Sequence, residues 1–284
     1  APSLSGIRNV MSLTPQPIEM RRFVQPRNCR CLSVASPPPF QARRRVAITG
    51  IGMITPFGVG TSLTWKKLLD GKTGIVGLKD PQFADLACKV AGVVPRGKEP
   101  GMFDETTMTH APSSKTSTFV QFALAASDQA LVDAGFQLDK SKVTEHYSAD
   151  RVAVCVSSGM GALDDILAGG QQVASGQSRR LSAYFVPKVL LNMAGGQVSI
   201  RHGLQGPNHT LVTACAAGAH GIMDAARLIA LGEADAALAG GSEACIGALS
   251  IAGFCKARAL STAFNDRPGE ASRPFDEKRG GFVM

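Results

Sequence analysis

Residues 210–220, Thr-Leu-Val-Thr-Ala-Cys-Ala-Ala-Gly-Ala-His, contain the chain's best-placed nucleophile, Cys215. A short β-branched run stops at this cysteine, small residues follow, and a helical pattern continues to Leu231 before Gly232 closes it. The thiol is therefore expected at a strand-to-helix junction, where the first helical N–H groups and the helix dipole favour thiolate over thiol. Ala214, Ala216, Ala217 and Gly218 leave room for a substrate carbonyl to approach the backbone. The competing reading is a small buried core cysteine, which is the commoner fate of this residue type. The local pattern leaves both open.

The elements that would position such a thiol can be read on either side of it. Residues 46–49 (Val-Ala-Ile-Thr) read as a strand opening the folded region, and 61–70 as a capped helix ended by Gly71. A long helix is expected over 114–134, with apolar positions at Phe119, Phe122, Ala123, Ala126, Ala130 and Leu131 and a stop at Gly135. Residues 151–156 form a continuous apolar strand that enters the glycine turn Ser158-Gly-Met-Gly161. Two more short strands, 210–213 and 235–239, flank the Cys215 helix. Apolar strands separated by helices imply a parallel or mixed sheet buried on both faces, an α/β architecture. Segments 75–115 and 168–208 read as less regular excursions from it.

Charge narrows the class further. The 284 residues carry a net +8, yet residues 1–45 hold eight arginines, no lysine and a single acid, Glu19, so +7 of the excess lies there and +1 in the rest. An Arg-rich, acid-poor, Ser- and Pro-containing start reads as an organelle transit peptide or disordered leader over 1–44, ahead of a folded domain over 45–284. A nucleic-acid-binding arm fits less well because aromatic residues are not interleaved with the arginines. No uninterrupted apolar stretch reaches the roughly 18 to 20 residues needed to span a bilayer.

Other chemical motifs are weak. The seven cysteines (29, 31, 88, 155, 215, 245 and 255) show neither a Cys-x-x-Cys pair nor a histidine at metal-ligand spacing, so no metal site is predicted from the sequence. Thr49-Gly-Ile-Gly52 hints at a dinucleotide turn, but Thr55 replaces the third glycine and Pro56 follows. Gly240-Gly-Ser-Glu-Ala244 lacks the last glycine of a hydrolase elbow, so Ser242 reads as a turn residue. His220 lies more than one helical turn beyond Cys215 and reads as a helix-face histidine rather than its base.

Thr213-Ala-Cys-Ala-Ala-Gly218, with Gly206-Pro-Asn208 before it and Gly232-Glu-Ala-Asp235 and Gly240-Gly-Ser-Glu243 after it, resembles the β-ketoacyl-acyl-carrier-protein synthases. Phe185-Val-Pro187, Asn192-Met193, Ala257-Arg-Ala-Leu-Ser261, Ser272-Arg-Pro-Phe-Asp276 and Gly281-Phe-Val-Met284 carry the same resemblance, in the family's order, from about Arg44 onward. With the Arg-rich leader, the chain is most similar to mitochondrial members, a plastid form being the alternative.

The resemblance implies a thiolase-like fold of αβαβα layers in a homodimer. It also implies acyl transfer to Cys215 followed by decarboxylative Claisen condensation with a malonyl group on acyl carrier protein. The Cys215 N–H would form part of the oxyanion hole, with no metal or organic cofactor. Met160, Ala214 and Phe254 match acyl-tunnel positions, and Phe185 and Val186 match ones that reach the partner subunit's tunnel. Lys115, Arg179, Arg180 and Arg258 match positions that dock the acidic carrier protein. The strand near 209–213 matches the one that pairs with its twin across the dimer axis.

There are departures as well. Ala217 stands where relatives often carry Thr or Ser. None of the five histidines (110, 146, 202, 209 and 220) matches the family's two catalytic histidines, and the sequence stops inside the Gly-Phe-Val-Met block. A truncated chain with an incomplete active site is expected. Two other functions stay open on these residues: a non-catalytic partner that binds carrier protein or a protomer, and a thiolase-type enzyme acting on coenzyme A thioesters.

Overall fold

A computed structural model describes residues 44–108, 114–138 and 146–284, which leaves the expected leader outside the described residues apart from Arg44. At its centre is β5 (Val152–Ser157), buried at every position, hydrogen-bonded in parallel to β6 (Ala236–Gly241) in the register Val152↔Ala236 to Ser157↔Gly241. Alternation decides which neighbours each face receives. Val152, Val154 and Val156 face a cluster with Phe119, Leu124, Ala194 and Val198, contributed by α3 (Thr118–Asp133) and α6 (Met193–His202). Ala153 and Cys155 face Ala225 and Leu228 of α7 (Ala217–Ala230). The result is helix, sheet and helix in three layers, with each buried valine worth about 1.5–3 kcal/mol.

Smaller units surround this core. β1 (Ile54–Thr55) pairs antiparallel with β2 (Gly58–Val59) before α1 (Thr61–Leu69), and β3 (Ile75–Gly77) pairs antiparallel with β4 (Val90–Gly92). The short helix α2 (Glu105–Met108) precedes α3; α4 (Leu163–Ala174) and α5 (Phe185–Val189) precede α6; and α8 (Ala248–Lys256) follows β6. A second apolar cluster gathers Phe83, Cys88, Val90, Ile251, Leu260 and Phe264 between the β3–β4 unit and α8.

Four sequence expectations change. Residues 46–49 form no strand: Ile48 is 78% exposed, and the chain is held instead by glycines laid against α3. A Cβ on Gly50 or Gly52 would lie 2.1 Å from the Ala130 carbonyl oxygen or 1.9 Å from that of Ala126, so these glycines serve helix packing. Residues 210–213 also form no regular strand, although the chain just before them meets β5 through Val154 N–H to Pro207 O and His209 N–H to Val154 O. The 114–134 helix starts at Thr118, where Ser117 takes an extended N-cap conformation. The 168–208 stretch is largely helical, its periodicity hidden by the glycine pairs 169–170 and 195–196 inside α4 and α6 and by Pro187 inside α5.

Charged groups tie the layers at two places. Asp235, at the start of β6, is held by Arg151 and Arg44, whose hydrogen bonds keep its carboxyl at a pKa of about 2. This cluster is exposed and adds little to stability. Asp128 on α3 is buried and receives Arg201 Nε at 2.6 Å and His202 Nε2 at 3.2 Å from α6. Burial raises its pKa, but the bonds from His202 and Arg201 outweigh that and hold it below the usual carboxylate range. A depressed folded-state pKa gives stability that is present above the unfolded value, near 3.9, and lost as pH falls through the folded one. Asp128→Asn is therefore expected to cost about 3 kcal/mol at neutral pH and to flatten the loss of stability below pH 4, measured by urea unfolding across pH.

Candidate active site

Cys215, the candidate nucleophile, sits where α7 begins. Thr213 (φ −124°) leads into Ala214 at φ +51°, a 3-10 turn runs over Ala214–Ala216, and α7 starts at Ala217. A left-handed alanine costs about 1 kcal/mol or more, and here it turns the chain sharply so that Cys215 projects from the corner. The placement of this corner depends on glycine. A Cβ on Gly241 would lie 2.7 Å from the Gly218 Cα, and one on Gly221 would lie 2.7 Å from the Cys155 carbonyl oxygen and 2.8 Å from that of Gly240. The first turns of α7 thus lie backbone to backbone on the carboxyl ends of β5 and β6.

Cys215 is exposed, whereas Cys88, Cys155 and Cys245 are buried and Cys255 is half-buried. Burial pushes the Cys88 thiol up, and burial with the nearby Asp224 charge pushes Cys155 up to about 11. Cys245 is driven further up by burial and by its hydrogen bond to Glu243. Cys215 is the described cysteine with open access. It lines a cavity of about 1070 Å³ together with Met160, Ala214 and Phe254, three of the predicted tunnel residues.

Phe185 and Val186 do not line this cavity. Phe185 packs its ring on Gly169 of α4, and Val186 is 60% exposed. Lys115, Arg179, Arg180 and Arg258 are all exposed. Lys115 Nζ stands 5.4 Å from the centre of the Tyr184 ring, which places it beside the 178–184 segment, while Arg180 bonds Gln177 and Arg258 follows α8 in left-handed backbone (φ +56°). His220 bonds Thr213 Oγ1 through Nδ1 at 2.9 Å, as expected of a helix-face residue. Ser242 donates to the Phe119 carbonyl at 2.6 Å, the contact of a turn residue. His110 lies outside the described residues.

Sequence reasoning missed Glu243 as a site residue. Its carboxylate receives the backbone N–H groups of Gly159 (2.9 Å), Met160 (2.7 Å) and Gly161 (3.1 Å), and Ser158 Oγ at 3.3 Å. The glycine turn is a cradle for an anion, and the protein's own glutamate fills it. A Cβ on Gly159 would lie 3.0 Å from the Ala214 carbonyl oxygen and 3.1 Å from Glu243 Oε2, so the cradle also abuts the Cys215 corner. Gly240-Gly-Ser-Glu243 was visible as a motif, but its partner turn lies more than 80 residues earlier.

The β-ketoacyl synthase N-terminal domain profile matches residues 43–284, and the chain belongs to that family. It is 44% identical over 265 residues to the mitochondrial 3-oxoacyl-[acyl-carrier-protein] synthase of Arabidopsis thaliana, covering 88% of this chain and 56% of that protein. A β-ketoacyl synthase from Burkholderia phymatum superposes with a TM-score of 0.71 at 29% identity, covering 86% of this chain and 56% of that one. A ketosynthase solved bound to a hexaketide and in complex with its type II polyketide acyl-carrier protein superposes at TM-score 0.71 and 24% identity, covering 85% of this chain and 55% of the other. The fold is thiolase-like, and the chain spans about half the length of these relatives.

Glu243→Ala removes a charged acceptor from three amides, each such bond being worth about 1.5–3 kcal/mol. Hydrogen exchange at Gly159, Met160 and Gly161 is expected to quicken by about 10-fold or more, with exchange in β5 unchanged, as read by NMR or mass spectrometry.

Proposed function

We propose that the protein is a 3-oxoacyl-acyl-carrier-protein synthase of type II fatty acid synthesis, with Cys215 as its acyl acceptor. The observation that carries this reading is the exposed Cys215 on a left-handed corner, opening into the cavity with Met160, Ala214 and Phe254, within a chain of this family. In the first half-reaction the Cys215 sulfur attacks the carbonyl carbon of a carrier-bound acyl thioester. The carrier thiol leaves with the proton, and the acyl group stays on Cys215 as a thioester. In the second, malonyl-carrier protein loses CO2, the enolate carbon attacks that thioester, and the Cys215 thiolate is released as the 3-oxoacyl chain forms, two carbons longer. Developing oxyanion charge is met by backbone N–H groups at the start of α7, that of Cys215 among them. None of the five histidines matches the family's catalytic pair, so these residues account for the acyl-accepting step, and condensation is proposed for a protein that has the length of the relatives, about half of which this chain spans.

Lys115, Arg179, Arg180 and Arg258 are proposed to receive the acidic acyl carrier protein, chiefly by raising its association rate. The segment over 209–213, where Val212 is 54% exposed, is proposed to meet its twin in a homodimer, with Phe185 and Val186 reaching the partner's tunnel. The leader over 1–44 is proposed to direct the protein to the mitochondrial matrix, a reading supported by the mitochondrial relative. Fused to a fluorescent reporter, residues 1–44 are expected to carry it into mitochondria. Plastid delivery would support the alternative, and a cytosolic reporter would overturn both.

Full-length protein mixed with acylated carrier protein is expected to gain the mass of one acyl group, and Cys215→Ala to gain none. An unmodified wild type would refute the enzyme reading. Arg179→Glu with Arg180→Glu is expected to slow adduct formation by about 10-fold at low salt, the difference shrinking as salt rises.

A further inference from the structure

The face of β5 opposite the main core holds a group of side chains that the acyl-transfer chemistry does not use. Cys155 points toward α7 and is fully buried; Asp224 projects from α7; His209 lies on the segment that leads to Cys215. Their sulfur, carboxylate and imidazole donor atoms all lie within 4.8 Å of one another, and His209 Nδ1 and Asp224 Oδ2 are 2.7 Å apart. We propose that Cys155, His209 and Asp224 form a binding site for a divalent metal ion of the zinc class, coordinated by one thiolate, one imidazole nitrogen and one carboxylate oxygen.

The donor set selects the ion. Calcium and magnesium take oxygen ligands, whereas one sulfur, one nitrogen and one oxygen suit zinc. Tetrahedral coordination with metal–ligand bonds of about 2.0–2.3 Å sets donor atoms about 3.5 Å apart, so this cluster closes on an ion with side-chain movements of about 1 Å. Two of the three ligands sit on rigid elements. Cys155 is fixed in the β5–β6 ladder, Asp224 lies mid-helix, and the His209 backbone is anchored by its N–H to the Val154 carbonyl at 2.9 Å. The His209 side chain is 48% exposed in the single protomer, which leaves a fourth position for water.

Sequence spacing conceals the site, because the ligands at 155, 209 and 224 come from three separate elements. The placement has a structural consequence. His209 precedes Cys215 by six residues and Asp224 follows it by nine, so an ion here would pin both arms of the nucleophile corner to β5. Binding also requires the Cys155 proton to leave to solvent, since the ligand is the thiolate.

The test uses full-length protein with Cys215→Ala, so that the exposed thiol supplies no sulfur, stripped of metal by a chelator. Titration with Co2+ is expected to produce a saturable thiolate-to-cobalt charge-transfer band at one ion per chain, displaced by Zn2+. Cys155→Ala should abolish the band, and Asp224→Asn should weaken binding by about 10-fold or more. Zn2+ should also raise the unfolding temperature of the parent but not that of Asp224→Asn, a near-isosteric change that keeps the folded shape. Absence of the charge-transfer band from the folded parent, or its persistence in Cys155→Ala, would overturn the proposal and leave His209–Asp224 as a hydrogen-bonded pair beside a core cysteine.

Discussion

The architecture depends on one close contact, the backbone of α7 lying directly on the carboxyl ends of β5 and β6. Gly218 and Gly221 on the helix, with Gly241 on the strand, leave no space for a side chain between them. Helices normally stand off a sheet by the depth of the side chains between them. Removing those side chains at the first turns lowers this end of the helix onto the strands. The corner that carries Cys215 is then fixed relative to the sheet, where crevices at the carboxyl ends of parallel strands form binding sites.

Two further contacts follow from that arrangement. The chain after β5 must turn away from the helix end, and it does so through a glycine turn whose amides all point toward one spot, which Glu243 fills from the end of β6. The chain before α7 must reach the corner along the free edge of β5, and a left-handed Ala214 completes the approach. The glutamate holds the turn to the strand end and the turn presses on the Ala214 carbonyl. Loop, strand and Cys215 corner are therefore packed as one unit.

Much of this was legible in the residues. The apolar run 151–156 became β5 to within a residue because a strand buried on both faces leaves no ambiguity of pattern. The stops at Gly71, Gly135 and Gly232 were legible because each adopts positive φ, which glycine accepts without strain. The segments 46–49 and 210–213 have β-branched composition but lack a full ladder of partners within the described residues, and composition carries no information about partners. The glycines at 50 and 52 suggested a nucleotide turn because sequence shows that a backbone comes close to something, but not to what. The something is α3.

By itself the sequence determined the candidate nucleophile, its junction with a helix, the α/β character and the family, since each is written in local pattern or in motifs read in order. Tertiary structure alone decided which groups meet. It placed Glu243 in the 158–161 cradle, sent Ser242 to the Phe119 carbonyl and set Asp128 between Arg201 and His202. It also turned Phe185 and Val186 away from the Cys215 cavity and brought Cys155, His209 and Asp224 together. The physical reason is the same in each case. Hydrogen bonds and charge pairs act over about 3 Å in space whatever the separation along the chain, and only the close seating of α7 on the sheet brings these distant residues within that range.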